Sequence, residues 1–229
     1  MSSTFKLYFD FMSPPSRGLL IILKMSKIPF EGVLIQLHKG QHLTEEYKNN
    51  ISRFGKVPVL EEIETNFTLT ESVAILRYLQ REKGLLDDLY PANSQKQARV
   101  DEFLEWEHNN LRASCAMYFY FKSVMPRITA SAPDPIFINF YKNQMEESFD
   151  ALEKLWIQDK PFITGNKLSA ADIFAISDYY QARLTIYDGC KNRPKLTKWM
   201  KMVQKELGPY LDEVNQTVNK IIQKNPVTN

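Results

Sequence analysis

The chain has 229 residues, of which 44% are hydrophobic and 24% charged, a composition that is typical of globular domains and excludes disordered and fibrous classes. Its 29 basic and 27 acidic residues are interspersed and give a formal charge of +2, so the sequence lacks the clustered basic stripe of nucleic-acid-binding proteins. No apolar run approaches the ~20 residues of a membrane span, and the N-terminal segment has no signal-peptide pattern, so we expect a cytoplasmic protein without membrane contact.

Short strand patterns and longer helix patterns alternate from Phe5 to about Gly84. The run FKLYF predicts a buried strand, residues 14–26 predict a helix, and GVLIQL predicts a second strand. VPVLEE and NFTLT then predict a hairpin, followed by a helix over residues 72–83. This order is typical of a βαβ unit closed by a hairpin and a helix, so residues 1–84 are predicted to form a small α/β domain.

Nearly everything beyond this domain has a helical period. A polar connector over residues 85–95 leads into residues 96–229, which are predicted to form an all-helical domain. Ser169 with Asp172 three residues later indicates a capping box at a helix start, with Asp in place of the usual Glu or Gln. One long predicted helix carries its apolar stripe at Val100, Leu104, Leu111, Cys115 and Tyr118. The helical run after it is expected to break at Pro126, Pro133 and Pro135.

Metal and hydrolase sites find little support in the sequence. His38 and His42 are four residues apart, but Gly40 lies between them and no further ligands cluster nearby, so we predict no metal site. The segment around Ser13 has no nucleophile elbow and no neighbouring histidine. The two cysteines are too few for a disulfide framework.

Three polar positions in the α/β domain carry the remaining chemistry. Ser13 stands at a strand-to-helix junction, where it caps the helix or touches a substrate. An X-Pro bond between Val57 and Pro58 leaves both backbone groups of Val57 free to pair with an extended peptide. Glu71 and Ser72 open a helix whose N-terminus favours a carboxylate, while the Glu71 side chain favours an ammonium group. Each position alone is typical of a cap or a rigid turn, but together they predict a peptide pocket.

Six segments resemble the cytosolic glutathione transferases, and among these the theta class. They occur in the family's order, and the short C-terminal segment is similar to insect members. The resemblance implies a thioredoxin-like N-terminal domain that binds glutathione, a helical C-terminal domain with the electrophile site, and a homodimer. The six segments are FDFMSPPSRG, HKGQHLTEEY, GKVPVL, LTESVAILRYL, QARVDEFLEWEHNNLR and FITGNKLSAADIFA.

The resemblance also implies roles for individual residues. A serine at the position of Ser13 donates a hydrogen bond to the glutathione sulfur and favours the thiolate. The arginine that matches Arg112 lies close to the thiol in the theta class, although a surface ion pair is the alternative. Arg17 is expected to support the fold. The implied glutathione contacts are His42 and Lys56 at the glycyl end, Val57 before Pro58 at the cysteinyl backbone, and Glu71 with Ser72 at the γ-glutamyl end.

The implied activity is conjugation of the glutathione thiolate to small hydrophobic electrophiles. Met117, Tyr118 and Phe121 of the long helix are candidates for the electrophile face, although an aromatic stripe at helical spacing is also typical of a core. One departure concerns Pro14, which stands where theta proteins commonly have glutamine. The alternative function is therefore a protein of the same fold that binds glutathione or hydrophobic ligands without catalysis.

Overall fold

The computed structural model describes residues 4–224, so the end of the predicted helical domain, residues 225–229, lies outside the described residues. A mixed sheet organises the N-terminal part, with strands β1 (Phe5–Phe9), β2 (Phe30–Leu34), β3 (Val59–Glu62) and β4 (Phe67–Thr70). Its helices are α1 (Pro14–Met25), α2 (Glu45–Asn50) and α3 (Ser72–Lys83), with two 3₁₀ turns at Leu37–Lys39 and Gln41–Leu43.

The sheet has the strand order β2-β1-β3-β4, in which β1 pairs parallel with β2 and antiparallel with β3. The helix α1 connects the parallel pair, as a βαβ crossover requires. Apolar side chains of β1, α1 and α3 share one core, which includes Leu7, Leu19 and Ile75, none of them exposed. This architecture confirms the thioredoxin-like domain.

The second strand differs from its prediction. GVLIQL was expected to be extended, but β2 begins earlier, at Phe30, and ends at Leu34. The register explains this difference, because Phe30 pairs with Phe5 and Leu34 pairs with Phe9, where β1 ends. The chain then turns into the first 3₁₀ segment, so pairing with β1 overrides the apolar pattern.

Within the described residues, every helix or strand of the C-terminal part is a helix, which confirms the predicted class. It begins with a continuous helical rod over residues 94–129, where two π-helical segments shift the register. The apolar stripe predicted on this rod is buried from Val100 to Tyr118. The helices are α4 (Ser94–Glu107), α5 (Ala113–Phe119), α6 (Met125–Thr129), α7 (Pro135–Ala151), α8 (Ala170–Arg183), α9 (Pro194–Leu207), α10 (Pro209–Val214) and α11 (Gln216–Lys224), with π-helical segments at His108–Arg112, Tyr120–Val124 and Leu152–Ile157.

The rod continues through Pro126, contrary to the expected break. Pro126 lies in the first turn of α6, where its missing N–H is tolerated, directly after a π-helical segment. The break comes instead at Ala130, whose φ of 53° ends the helix. Pro135 opens α7 with Asp134 as its cap.

The two parts meet where α1 packs against α8. A Cβ atom on Gly18 of α1 would lie 2.6 Å from the Phe174 ring, so glycine permits this approach. The start of α8 has the predicted capping box, in which the Ser169 N–H donates to Asp172 Oδ2 at 2.9 Å. Within residues 4–224, no helix is both long and apolar enough to cross a membrane.

Candidate active site

Ser13 caps α1 at the boundary between the two parts. Its Oγ accepts the Ser16 N–H at a long 3.4 Å, and among the described residues no acceptor takes its hydroxyl hydrogen. Pro14 and Pro15 have no N–H, so the first donor of α1 is the Ser16 N–H. Ser13 therefore keeps a hydroxyl that can donate to an anion at a helix N-terminus with few other donors.

Arg17 holds the segment that carries Ser13. It is completely buried, and its guanidinium donates to Phe11 O at 2.8 Å and to Ser177 O at 2.5 Å. Burial lowers the pKa of Arg17 to about 10, so the side chain is charged at neutral pH. Its contacts lie within the packing of α1 on α8, as expected for a residue that supports the fold.

The loop before β3 presents unpaired backbone groups. The peptide bond between Val57 and Pro58 is cis. Among residues 4–224, no partner is found for the N–H or the C=O of Val57, so an extended peptide can pair with both. The backbone of Lys56 is held by two hydrogen bonds. Its C=O accepts from the Tyr47 hydroxyl at 2.9 Å, and its N–H donates to Ser52 Oγ at 3.3 Å.

His42 lies beside this loop. Its Nδ1 atom is buried and has no hydrogen-bond partner within the described part of the chain. Burial lowers the pKa of His42, although nearby Asp10 opposes the shift, so the imidazole is neutral at pH 7. Gly55 has a φ of 60°, and a Cβ atom there would lie 3.0 Å from His42 O, so glycine lets the loop and the histidine approach.

Glu71 and Ser72 form the start of α3. Glu71 is exposed and has a φ of 67°, a conformation that is rare for residues other than glycine and that is common at ligand sites. Ser72 is buried, and its Oγ accepts from Arg112 Nη1 at 3.3 Å. The helix start of the first domain is thereby connected to the second domain.

Arg112 lies in a buried ionic cluster. The alternative interpretation of this arginine, a surface ion pair, is therefore wrong. Its Nη2 donates to Glu107 Oε1 at 2.7 Å and its Nε donates to Asp178 Oδ1 at 3.4 Å. Its guanidinium carbon lies 5.3 Å from the centre of the Phe174 ring. Burial raises the pKa of the Glu107 carboxyl well above its ordinary value, although Arg112 opposes the shift.

Sequence reasoning missed Glu107 and Asp178. Glu107 interrupts the apolar stripe, between Leu104 and Leu111, and is completely buried. An acidic residue on the apolar face of a helix is the signal that could have identified it. Asp178 follows the capping box in α8 and has no comparable signal.

The electrophile candidates have different environments. Tyr118 is only 3% exposed, and its hydroxyl accepts from Lys122 Nζ at 3.0 Å, so it belongs to the core. Met117 and Phe121 are partly exposed. Phe121 stacks on Phe137 and Tyr141, with ring centres 4.8 and 5.2 Å apart. The aromatic face available to a ligand therefore begins at Phe121.

Comparisons with known proteins agree with this arrangement. Residues 3–81 match the family model for the glutathione S-transferase N-terminal domain, and residues 117–201 match that for the C-terminal domain. Glutathione S-transferase theta-1 of Bos taurus is 35% identical, with 96% of this chain and 91% of the relative covered. The apo structure of human glutathione S-transferase T1-1 is 34% identical and has a TM-score of 0.88, with 97% of this chain and 92% of that chain covered.

A second solved structure contains the tripeptide. It is human glutathione transferase theta-2 in complex with glutathione and an unknown ligand, which is 30% identical and has a TM-score of 0.88. The alignment covers 96% of this chain and 89% of that chain. The chain therefore belongs to the theta class of the glutathione S-transferase family.

Proposed function

We propose that this transferase conjugates glutathione to small hydrophobic electrophiles, with the Ser13 hydroxyl stabilising the thiolate. The observation that carries the proposal is the free hydroxyl hydrogen of Ser13 at the start of α1. The thiolate is the nucleophile in thiol chemistry, so a donor directed at the sulfur raises the reactive fraction at neutral pH.

The energies are sufficient without a general base. A free thiol has a pKa of about 8.5, and lowering it by about two units takes roughly 2.7 kcal/mol. One hydrogen bond to a charged group supplies about 1.5–3 kcal/mol, and a helix N-terminus adds about 0.3–1 kcal/mol. Because Pro14 and Pro15 remove two donors from α1, the Ser13 hydroxyl carries most of the effect.

The remaining site residues bind the glutathione backbone. The free N–H and C=O of Val57, held before Pro58, pair with the cysteinyl unit. The unpartnered Nδ1 of His42 and the nearby Lys56 take the glycyl end. Glu71 holds the ammonium group of the γ-glutamyl unit. The γ-glutamyl carboxylate is bound at the helix start by Ser72, whose hydroxyl contacts Arg112.

A pH titration of the bound thiol tests the proposal. Ultraviolet thiolate absorbance is measured with glutathione bound to the native protein, to Ser13→Ala and to Ser16→Ala. The native protein should show a pKa about two units below 8.5, and Ser13→Ala should restore it and lower kcat about 10- to 100-fold. Ser16→Ala is the matched control, because its buried hydroxyl has no partner among the described residues.

The alternative function gives a different result. A protein that binds glutathione without catalysis would show tight binding with a thiol pKa that Ser13→Ala does not change. The replacement of the usual glutamine by Pro14 is the observation that keeps this alternative, because it removes a donor near the sulfur.

The family resemblance supports three further proposals. Residues 1–84 form the glutathione-binding domain, residues 85–95 form the linker, and residues 96–229 form the helical domain with the electrophile site. The protein forms a homodimer, which sedimentation equilibrium would test. It acts in the cytoplasm, where thiols are kept reduced, in line with its two free cysteines, and fractionation of cells would test this location.

A further inference from the structure

Five buried charged side chains form a group between the two domains, which we name the buried charge group. None is more than 9% exposed, and Glu107, Asp178 and Arg17 are not exposed at all. Arg112 contacts both Glu107 and Asp178, while Asp178 and Asp10 act electrostatically on Arg17. The members are Asp10, Arg17, Glu107, Arg112 and Asp178.

The charges of this group do not balance when every member is ionised. Two guanidinium groups stand against three carboxylates, which is one excess negative charge. Asp10 accepts the Met12 and Leu37 N–H groups at 2.7 and 2.9 Å, whereas Glu107 and Asp178 each keep one oxygen without a donor in the described part of the chain. An uncompensated buried charge is strongly unfavourable, whereas one bound proton would make the group neutral.

Two unsatisfied oxygen atoms indicate where that proton is held. Glu107 Oε2 and Asp178 Oδ2 are both buried and have no hydrogen-bond partner within the described residues. The two carboxyl groups are neighbours, because both bind the Arg112 guanidinium, at 2.7 Å for Glu107 and 3.4 Å for Asp178. A proton between them satisfies both atoms, since one carboxyl then donates to the other. A water molecule could satisfy the same oxygens, but it would leave the excess charge.

We propose that Glu107 and Asp178 share one proton, and that this pair is a positioning device that holds Arg112 on Ser72 Oγ for the γ-glutamyl end of glutathione. The proposal rests on the proposed function for the role of Ser72. Neither carboxyl touches the substrate, so both act through Arg112.

The surroundings of Glu107 favour a bound proton. Glu107 is faced by Arg112 of the same helical rod, by Asp178 of α8 and by the Cys115 thiol of α5. Burial raises the pKa of Glu107, and Asp178 adds to the shift, while Arg112 opposes it. Burial also raises the pKa of Cys115, so this thiol brings no charge. Asp178 also acts electrostatically on Arg17 of α1.

Infrared spectroscopy tests the shared proton directly. The full-length protein at pH 7 is compared with Glu107→Gln, in which the amide keeps an acceptor for Arg112 and a donor for Asp178. The difference spectrum should contain the C=O stretch of one protonated carboxyl group that the variant lacks. A difference spectrum with carboxylate bands alone would overturn the proposal.

Glutathione binding tests the positioning role. The dissociation constant of glutathione should stay within about twofold of native in Glu107→Gln and rise about tenfold in Glu107→Leu, which offers Arg112 no acceptor. Ser72→Ala should weaken binding in the native and Glu107→Gln backgrounds but add less than about twofold to Glu107→Leu, because the hydroxyl is already misplaced there. Independent effects of Glu107→Leu and Ser72→Ala would overturn the role. If Glu107→Leu does not fold, the infrared comparison still decides the proton.

The outcomes separate this inference from the proposed function. If Ser13→Ala raises the pKa of the bound thiol while the difference spectrum between the native protein and Glu107→Gln contains no protonated-carboxyl band, the transferase mechanism stands and the shared proton does not. If the native protein binds no glutathione, the proposed function fails, whereas the infrared result remains informative about the pair.

Discussion

At the scale of single residues, Arg17 shows how the fold holds the segment that carries Ser13. Its guanidinium satisfies the carbonyls of Phe11 and Ser177, one on each side of the domain boundary. Arg17→Met would leave both carbonyls and the nearby carboxylates without this cation. The free energy of unfolding, measured in urea, should fall by about 3–5 kcal/mol. Arg81→Met is the control on exposed α3 surface, with an expected change within about 0.5 kcal/mol. Equal effects of the two substitutions would contradict this account.

His42 is expected to affect substrate binding rather than the chemical step. His42→Ala removes the unpartnered Nδ1, and the dissociation constant of glutathione should rise about 5- to 30-fold, while kcat stays within about twofold. His38→Ala is the matched control, because His38 lies on the exposed surface of the same segment. Isothermal titration and steady-state kinetics measure the two quantities. A fall in kcat without weaker binding would instead place His42 near the reacting sulfur.

At the scale of elements, local signals predict β1 and the starts of α1 and α3, but not the bounds of β2. Ser13 with two prolines fixes the start of α1, and the predicted helix at residues 72–83 has the bounds of α3. The bounds of β2 depend on pairing with β1, which the local pattern does not contain. The π-helical segments likewise depend on packing within the helical domain, so no periodicity in the sequence indicates them.

The contact between α1 and α8 leads to a prediction at this scale. Gly18→Ala would place a methyl carbon 2.6 Å from the Phe174 ring. Because this distance is too short for two carbon atoms, the free energy of unfolding should fall by about 1–3 kcal/mol. Phe174→Leu should recover part of this loss in the double variant, because it makes room for the methyl group. Urea unfolding of the four proteins gives the coupling energy. Additive effects would show that the strain is relieved elsewhere.

At the scale of the whole molecule, the site is assembled across the two parts of the chain. The positions predicted from the first domain lie along its edge, because their signals are local caps and turns. Glu107 and Asp178 could not be paired in advance, since they meet only when the helical rod packs against α8 beside α1. Sequence patterns thus indicated candidate contacts for the ligand but not the buried charges behind Arg112.

Those charges predict how stability depends on pH. Unfolded Glu107 ionises near pH 4.3, whereas burial raises its pKa in the folded protein. Above about pH 5, the folded state therefore binds about one proton more than the unfolded state. The stabilising contribution of Glu107 is complete below its pKa in the unfolded chain and is lost as the pH rises towards its pKa in the folded protein. The loss amounts to about 1.4 kcal/mol per pH unit.

Glu107→Gln should remove this dependence, because its amide does not titrate. The free energy of unfolding of the variant, minus that of the native protein, should increase as the pH rises above about 5, by up to about 1.4 kcal/mol per unit until the folded pKa is reached. This difference cancels the contributions of other buried groups. One of these is Asp172, because burial raises its pKa as well. Glu64→Gln, at an exposed position, should give a flat difference. If the Glu107→Gln difference is equally flat, Glu107 and Asp178 are both ionised, and two arginines alone stabilise the buried carboxylates.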